Sequence, residues 1–296
     1  MIIDIHTHIT SDDFPEFSRV MLGRGPFTAD ILLKRMDMEG IDRSVLLPLP
    51  SPECLDYYGV AGNQDCIRAA RKHPDRLSAF CYIDPRSITN YTDDGIAKLM
   101  RIYKDLGCLG IGEMTASLEM DDILYQRLFF NAGEEKMPII FHFKPQGSTS
   151  YGAIDDLGLP RTERMLAMFP KTIFLGHSQC FWNELIGSLT KETRCNYFKE
   201  PYEGKGRLWT LFEKYPNLYG DCSAGSAFYA LSCDPKGYEF LERFHEQICF
   251  GTDRFTGLDE PIPGIIPYLK DGLAEGKISS KSYEAIMHKN FEKITS

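Results

Sequence analysis

Glu134-Glu135-Lys136-Met137-Pro138-Ile139-Ile140-Phe141-His142 holds the pattern that decides the fold. A charged stretch of helical character stops at Met137-Pro138, because proline cannot continue a helix and biases the residue before it toward extended geometry. The apolar run that follows has β character and ends on a single polar side chain, His142. The same punctuation recurs at His73-Pro74, Phe169-Pro170 and Tyr215-Pro216, each just ahead of another short apolar run. Working outward, β-rich runs are predicted over residues 2–6, 43–47, 77–83, 108–113, 138–143, 172–177, 217–222 and 247–253, eight in all.

Helical spacing fills the intervals between these runs. Ile96, Leu99, Met100 and Tyr103 follow a candidate cap at Thr92, and Ile123, Leu124, Leu128 and Ala132 follow Asp121 and Asp122. Strictly alternating β and α units imply a parallel sheet with helices outside it, and eight units suit closure into a single (β/α)8 TIM barrel over residues 1–296. An open doubly wound sheet is the competing architecture. It is weakened by the absence of a Gly-x-Gly-x-x-Gly turn, since Gly110-Ile111-Gly112-Glu113 lies inside a strand and lacks the third glycine. The longest connection, residues 181–205, is expected to form a lid or an oligomer contact.

Composition narrows the function. The chain is 43% hydrophobic and 25% charged, within the range of globular proteins, and its net charge of −9 argues against a broad grip on nucleic acid or an anionic membrane. A small-molecule partner fits better. Nine cysteines without a CxxC pair read as reduced thiols, mostly filling the core. The first residues carry no basic and long apolar leader, and no stretch reaches the roughly 18 apolar residues of a membrane span, so a cytoplasmic location is expected. Exposed aromatics in the 181–205 connection are compatible with a homodimer.

The local chemistry begins at Asp4-Ile5-His6-Thr7-His8. Residues two apart on a strand share a face, so both imidazoles can converge on one ion. Four further ligand-type residues fall at the C-terminal ends of later predicted strands: Glu113, His142, His177 and Asp253. In a barrel those ends are where catalytic side chains gather. Lys144 and Arg254 are candidate partners for a substrate carboxylate. Gln179, Trp182 and Asn183 are candidates for the pocket floor, and Tyr197, Phe198, Lys199, Tyr202 and Lys205 either close over substrate or pack against a second subunit.

The sequence resembles the amidohydrolase superfamily, and within it the amidohydrolase-related branch that includes aminocarboxymuconate semialdehyde decarboxylase. The likeness rests on Ile3-Asp4-Ile5-His6-Thr7-His8, Ile139-Ile140-Phe141-His142, Phe174-Leu175-Gly176-His177, Pro216 through Ser223, and Phe250-Gly251-Thr252-Asp253. It implies a divalent cation, commonly zinc with manganese as the other choice, held by His6, His8, His142 and Asp253. It also implies Asp253 as general base, with His177 facing substrate to meet a developing oxyanion or assist water deprotonation. Glu113 stands where the TatD-like deoxyribonucleases of the same superfamily carry a bridging glutamate. It is either a ligand to a second cation or a buried carboxylate bonded to a neighbouring histidine or to substrate.

Two reactions fit this ligand set. The first is hydrolysis of a small amide, lactone or ester by metal-activated water; the second is non-oxidative decarboxylation of a small unsaturated or aromatic acid. A nuclease is opposed by the net charge and by the lack of a basic aromatic stripe. A purely binding barrel is opposed by the presence of a ligand-type residue at every metal position.

Overall fold

The computed structural model describes residues 1–11, 20, 25–54, 59–86, 95–255, 257–259, 261 and 263–296. Among these, nine strands are present: β1 (Ile3–Thr7), β2 (Arg43–Leu46), β3 (Leu77–Cys81), β4 (Cys108–Met114), β5 (Ile139–Lys144), β6 (Ala153–Ile154), β7 (Phe174–His177), β8 (Leu218–Cys222) and β9 (Ile248–Phe250). All neighbours pair in parallel in the order β1-β2-β3-β4-β5-β7-β8-β9, with the two-residue β6 paired to β5. A parallel bridge between Thr7 and Arg254 joins the two ends of this sheet, where the His8 N–H donates to Arg254 O at 2.9 Å. The result is the (β/α)8 barrel expected from the sequence, with β6 as an addition the apolar runs did not announce.

Helices stop where the local chemistry stops them. The helix Ile123–Glu135 begins with the Asp122 carboxylate accepting from the Leu124 N–H, and it ends at Lys136 in the left-handed region. The helix Ala29–Glu39 is capped by Thr28 and closed by Gly40 at φ +72°. Thr92, the cap expected for the helix Gly95–Asp105, lies outside the described residues.

Two apolar layers hold the barrel. Ile3, Ile5, Val45, Leu47, Phe80, Ile140, Leu175, Tyr219 and Cys249 form the inner cluster with Phe291. A larger layer between strands and helices includes Phe129, Phe141 and Phe174, each fully buried, and each such side chain contributes roughly 1.5–3 kcal/mol. The strands that face Ile140, Leu175 and Tyr219 inward continue with the same alternation to His142, His177 and Asp221.

β1 and β4 reach the same end by breaking the alternation. A one-residue register shift between Asp4 and Thr7 lets His6 join a face that already carries Ile3 and Ile5. In β4 the register slips between Ile111 and Met114 around Gly112, which has φ +135° and where a Cβ would sit 2.8 Å from Ile140 O. Only glycine fits there, and Glu113 is turned inward as a result. The eighth strand was expected over 247–253 but stops at Phe250. Beyond it Gly251 packs against Asp221 and His6, and Asp253 adopts φ +54° with its N–H donating to His6 O at 2.8 Å.

The loops after β2, β3 and β4 are clamped together at the mouth. Arg86 forks onto both Glu53 oxygens at 2.7 and 2.8 Å and also bonds Asp84, while Glu53 accepts from the Ser117 N–H at 2.9 Å. Burial pushes the Glu53 carboxyl pKa up, but Arg86 and Ser117 outweigh it and bring it from 4.5 to about 2. The ionised form thus contributes stability that is fully present above about 4.5 and is lost as pH falls through about 2. Glu53→Gln is expected to cost about 1 kcal/mol in urea unfolding at neutral pH, after discounting for solvent screening. The gap to the unmodified chain should narrow as pH falls below about 4.5; a gap independent of pH would contradict the clamp. Among the described residues no helix is long and apolar enough to cross a membrane.

Candidate metal centre

His6, His8, Glu113, His142, His177 and Asp253 converge at the C-terminal mouth of the barrel. Their ligand atoms fall into three overlapping groups, His6–His8–Glu113, His6–His177–Asp253 and Glu113–His142–His177, with the atoms of each group within 4.8 Å of one another. The Nε2 atoms of His6 and His8 lie 3.0 Å apart, and both are 3.3–3.4 Å from Asp253 Oδ1. A cation reached by bonds of about 2.0–2.1 Å bridges nitrogens at this spacing. His142 and Asp253 have side chains 14% and 29% exposed, whereas His6 is fully buried, so access to the cluster is from the side of the first two.

The direction of three imidazoles is set from outside. His6 Nδ1 lies 2.5 Å from Asp221 Oδ2, His8 Nδ1 lies 2.8 Å from Leu47 O, and His177 Nδ1 lies 3.2 Å from Asp221 Oδ2 and 3.0 Å from Ser223 Oγ. With Nδ1–H donating to these acceptors, each Nε2 presents its lone pair to the centre, the arrangement a metal-binding histidine requires. Asp221 thereby orients two histidines at once. Trp182 supports it from below, donating Nε1–H to the Asp221 carbonyl at 2.8 Å.

The charges match a site for cations. Among the described residues, the ion pairs of Glu113, Asp221 and Asp253 are all with imidazoles. Burial alone would lower the His6 pKa, but Asp221 and Asp253 outweigh it and hold it well above its ordinary value. His8 is likewise raised to about 9, with burial opposed by hydrogen bonds to Asp253 and Glu113. Burial would raise Glu113, but His142, His6 and His8 keep it well below the usual carboxylate range. The carboxylates therefore stay charged in a water-poor pocket, and positive charge is what stabilises them there.

Other residues expected at the mouth have different placements. Arg254 is buried and binds Glu39 at 2.6 Å, a carboxylate that also accepts from Arg35, so its charge serves a buried network behind β1. Lys144 donates to the carbonyls of Ser148 and Ser150, shaping the loop whose Tyr151 ring lies 4.5 Å from that of His142. Trp182 is fully buried against Phe181 and Phe240, in the core rather than on a pocket floor. Asn183 bonds the carbonyls of Arg194 and Asn196 and so fixes the 181–205 connection. Gln179 opens the helical turn after Ser178, and Tyr197 of the same connection is half exposed and packs on Tyr229. Tyr202 and Lys205 pack on this chain's own helices, Lys205 lying 3.9 Å over the Trp209 ring.

Asp221, Ser223 and Gly251 lie in stretches that carry the resemblance, but the sequence assigns them no role. The signal for Asp221 was available, since it is the one carboxylate at the end of its strand. Gly251 offers none until its neighbours are known: a Cβ there would lie 2.8 Å from Asp221 Oδ1 and 3.0 Å from His6 Cβ. Gly251→Ala is expected to displace both and to weaken cation binding about 10- to 100-fold, as loss of an orienting contact does. Isothermal titration with zinc checks this, and unchanged affinity would show that the Asp221–His6 contact does not set the site.

No protein-family model and no curated protein sequence matches the chain. Solved structures do match, and the chain shares their fold from end to end. A 2,6-dihydroxybenzoate decarboxylase from Rhizobium superimposes with TM-score 0.64 at 17% identity, covering 99% of this chain and 98% of that one. An amidohydrolase from Burkholderia multivorans with bound zinc gives 0.66 at 13% identity over 100% and 99%. A dihydroxybenzoic acid decarboxylase from Polaromonas, with bound manganese and the inhibitor 2-nitroresorcinol, gives 0.62 at 15% identity over 99% and 96%. The matched structures thus include members of the group that the sequence resembles, hydrolases and decarboxylases alike.

Proposed function

We propose that the chain is a metal-dependent hydrolase of the amidohydrolase superfamily, in which Glu113 would help to hold two divalent cations and water would cleave a small amide, lactone or ester. The observation that carries this reading is the division of Glu113 between two histidine pairs. Its Oε2 is 3.5 Å from both His6 Nε2 and His8 Nε2, while its Oε1 is 2.7 Å from His142 Nδ1 and 3.8 Å from His177 Nε2. One carboxylate so placed serves His6, His8 and Asp253 on one side and His142 and His177 on the other. The imidazole-rich donor set suits zinc, and the oxygen donors also admit manganese.

When bound, divalent cations lower the pKa of water toward about 7 and polarise a carbonyl. Asp253, reached from solvent and kept ionised despite its burial by His6, His8 and His177, accepts the proton of the attacking water at Oδ2. His177, its ring fixed at Nδ1 by Asp221 and Ser223, sets Nε2 3.7 Å from that oxygen, facing the centre. Tyr151 and Phe255, whose rings flank His142 and His8, supply apolar walls for the substrate.

Decarboxylation of a small unsaturated or aromatic acid with a single cation is favoured by one feature. The 2.7 Å contact between Glu113 and His142 is a direct hydrogen bond, which on that reading leaves Glu113 as an orienting group. The test is to load the chain with zinc or manganese and offer it lactones, esters and amides beside hydroxybenzoates. Chelator-sensitive release of acid from the lactones and esters, or of amine from the amides, supports hydrolysis, whereas carbon dioxide release from the hydroxybenzoates replaces it with the lyase reading.

A further inference from the structure

Cys180 and Cys195 are two thiols that the candidate centre does not use. Their sulfurs are 2.7 Å apart, although Cys180 is buried just after β7 and Cys195 lies on the surface of the 181–205 connection. The approach is enforced on both sides of Cys195. Asn183 Nδ2 donates to the carbonyls of Arg194 and Asn196, each at 2.8 Å. The buried Arg194 guanidinium donates to the carbonyl of Cys180 itself at 3.1 Å and pairs with Glu184 at 3.1 Å. Two sulfurs held this close need only a small further approach to reach bonding distance.

We propose that Cys180 and Cys195 form a redox modification site, a dithiol that a low-molecular-weight disulfide converts into an intramolecular disulfide. The chemistry balances without any other reactant. The Cys195 thiolate attacks one sulfur of the disulfide RSSR, forming a mixed disulfide and releasing RS⁻. The Cys180 thiol gives its proton to that thiolate and attacks Cys195 Sγ, expelling the second RS⁻, which takes up the proton first lost by Cys195. Two protein thiols are oxidised and one RSSR is reduced to two RSH. The order of events follows from exposure: Cys195 is the one exposed cysteine of the nine, and its contact with Cys180 and the nearby Arg194 bring its pKa down from 9.0 to about 7, whereas Cys180 is raised. The bond would tie the turn carrying Tyr197 to the segment that follows His177.

The experiment is to incubate the full chain with glutathione disulfide at increasing ratios and follow intact mass and non-reducing tryptic maps. Lys191 and Arg194 separate the two cysteines, so the bridge appears as a linked peptide pair. The expected result is loss of two hydrogen masses per chain and a Cys180–Cys195 peptide pair as the main product. In Cys180→Ser the attack stops halfway, and one glutathionyl group is retained on Cys195. A stable mixed disulfide on the unmodified chain, a bridge between other cysteines, or no reaction at ratios that modify the exposed thiol of Cys180→Ser would each overturn the proposal. The unmodified chain alone decides it if the variant does not fold.

Discussion

Glu113→Gln is expected to reduce the cation content of the folded chain from about two to one or fewer, because a neutral amide cannot bridge two dications. The physical reason lies in the geometry of its two oxygens. Oε2 faces His6 and His8 and Oε1 faces His142 and His177, so the loss of charge at this one residue weakens both halves of the site. The amide is nearly the same size as the carboxylate, and the inward turn of residue 113 is set by Gly112 and its contact with Ile140, which the substitution leaves alone. Circular dichroism and thermal unfolding should therefore report an intact fold while elemental analysis reports the lost metal. Unchanged stoichiometry would assign Glu113 to its hydrogen bond with His142.

Asp253→Asn is the second large effect. Asp253 is near enough to His6 and His8 to share a cation with them, and it is also the most exposed carboxylate of the cluster. Replacing it removes a proton acceptor that stays ionised in a buried setting, and loss of a positioned general base typically costs about 10²- to 10⁴-fold in kcat. Weaker cation binding would contribute as well, so the rates must be compared at saturating zinc or manganese. A deficit that persists at saturation identifies Asp253 as the base. Full recovery would make it a ligand only.

Much of the barrel was legible because its signals are local. Proline after each of four helices and β-rich runs between them mark where strands begin, and all eight expected strands are present. The convergence of His6, His8, Glu113, His142, His177 and Asp253 followed from one rule, that a polar residue at the end of a barrel strand faces the mouth. What was not legible depends on contacts between distant segments. His6 shares the inner face with Ile5 only because β1 carries a register shift, and nothing in Ile3-Asp4-Ile5-His6 announces it.

The misplaced expectations have the same origin. Lys144 and Arg254 are near the ligands in sequence, but each has a partner supplied by another part of the chain: the carbonyls of Ser148 and Ser150 for Lys144, and Glu39 for Arg254. Trp182, close to His177 in sequence, is open in the sequence to two readings, a pocket floor and an anchor for the loop. It occupies instead a helical turn that directs it into the core, where its indole N–H braces Asp221. Cys180 and Cys195 are fifteen residues apart with no CxxC spacing, and only the loop between them brings their sulfurs together.

The most direct test of the two-cation centre is the metal content of the folded chain, measured by elemental analysis on protein purified without chelator and again after reconstitution with zinc or manganese. The account predicts about two ions per chain, falling to one or fewer when Glu113 is replaced. No bound metal under either condition would contradict it.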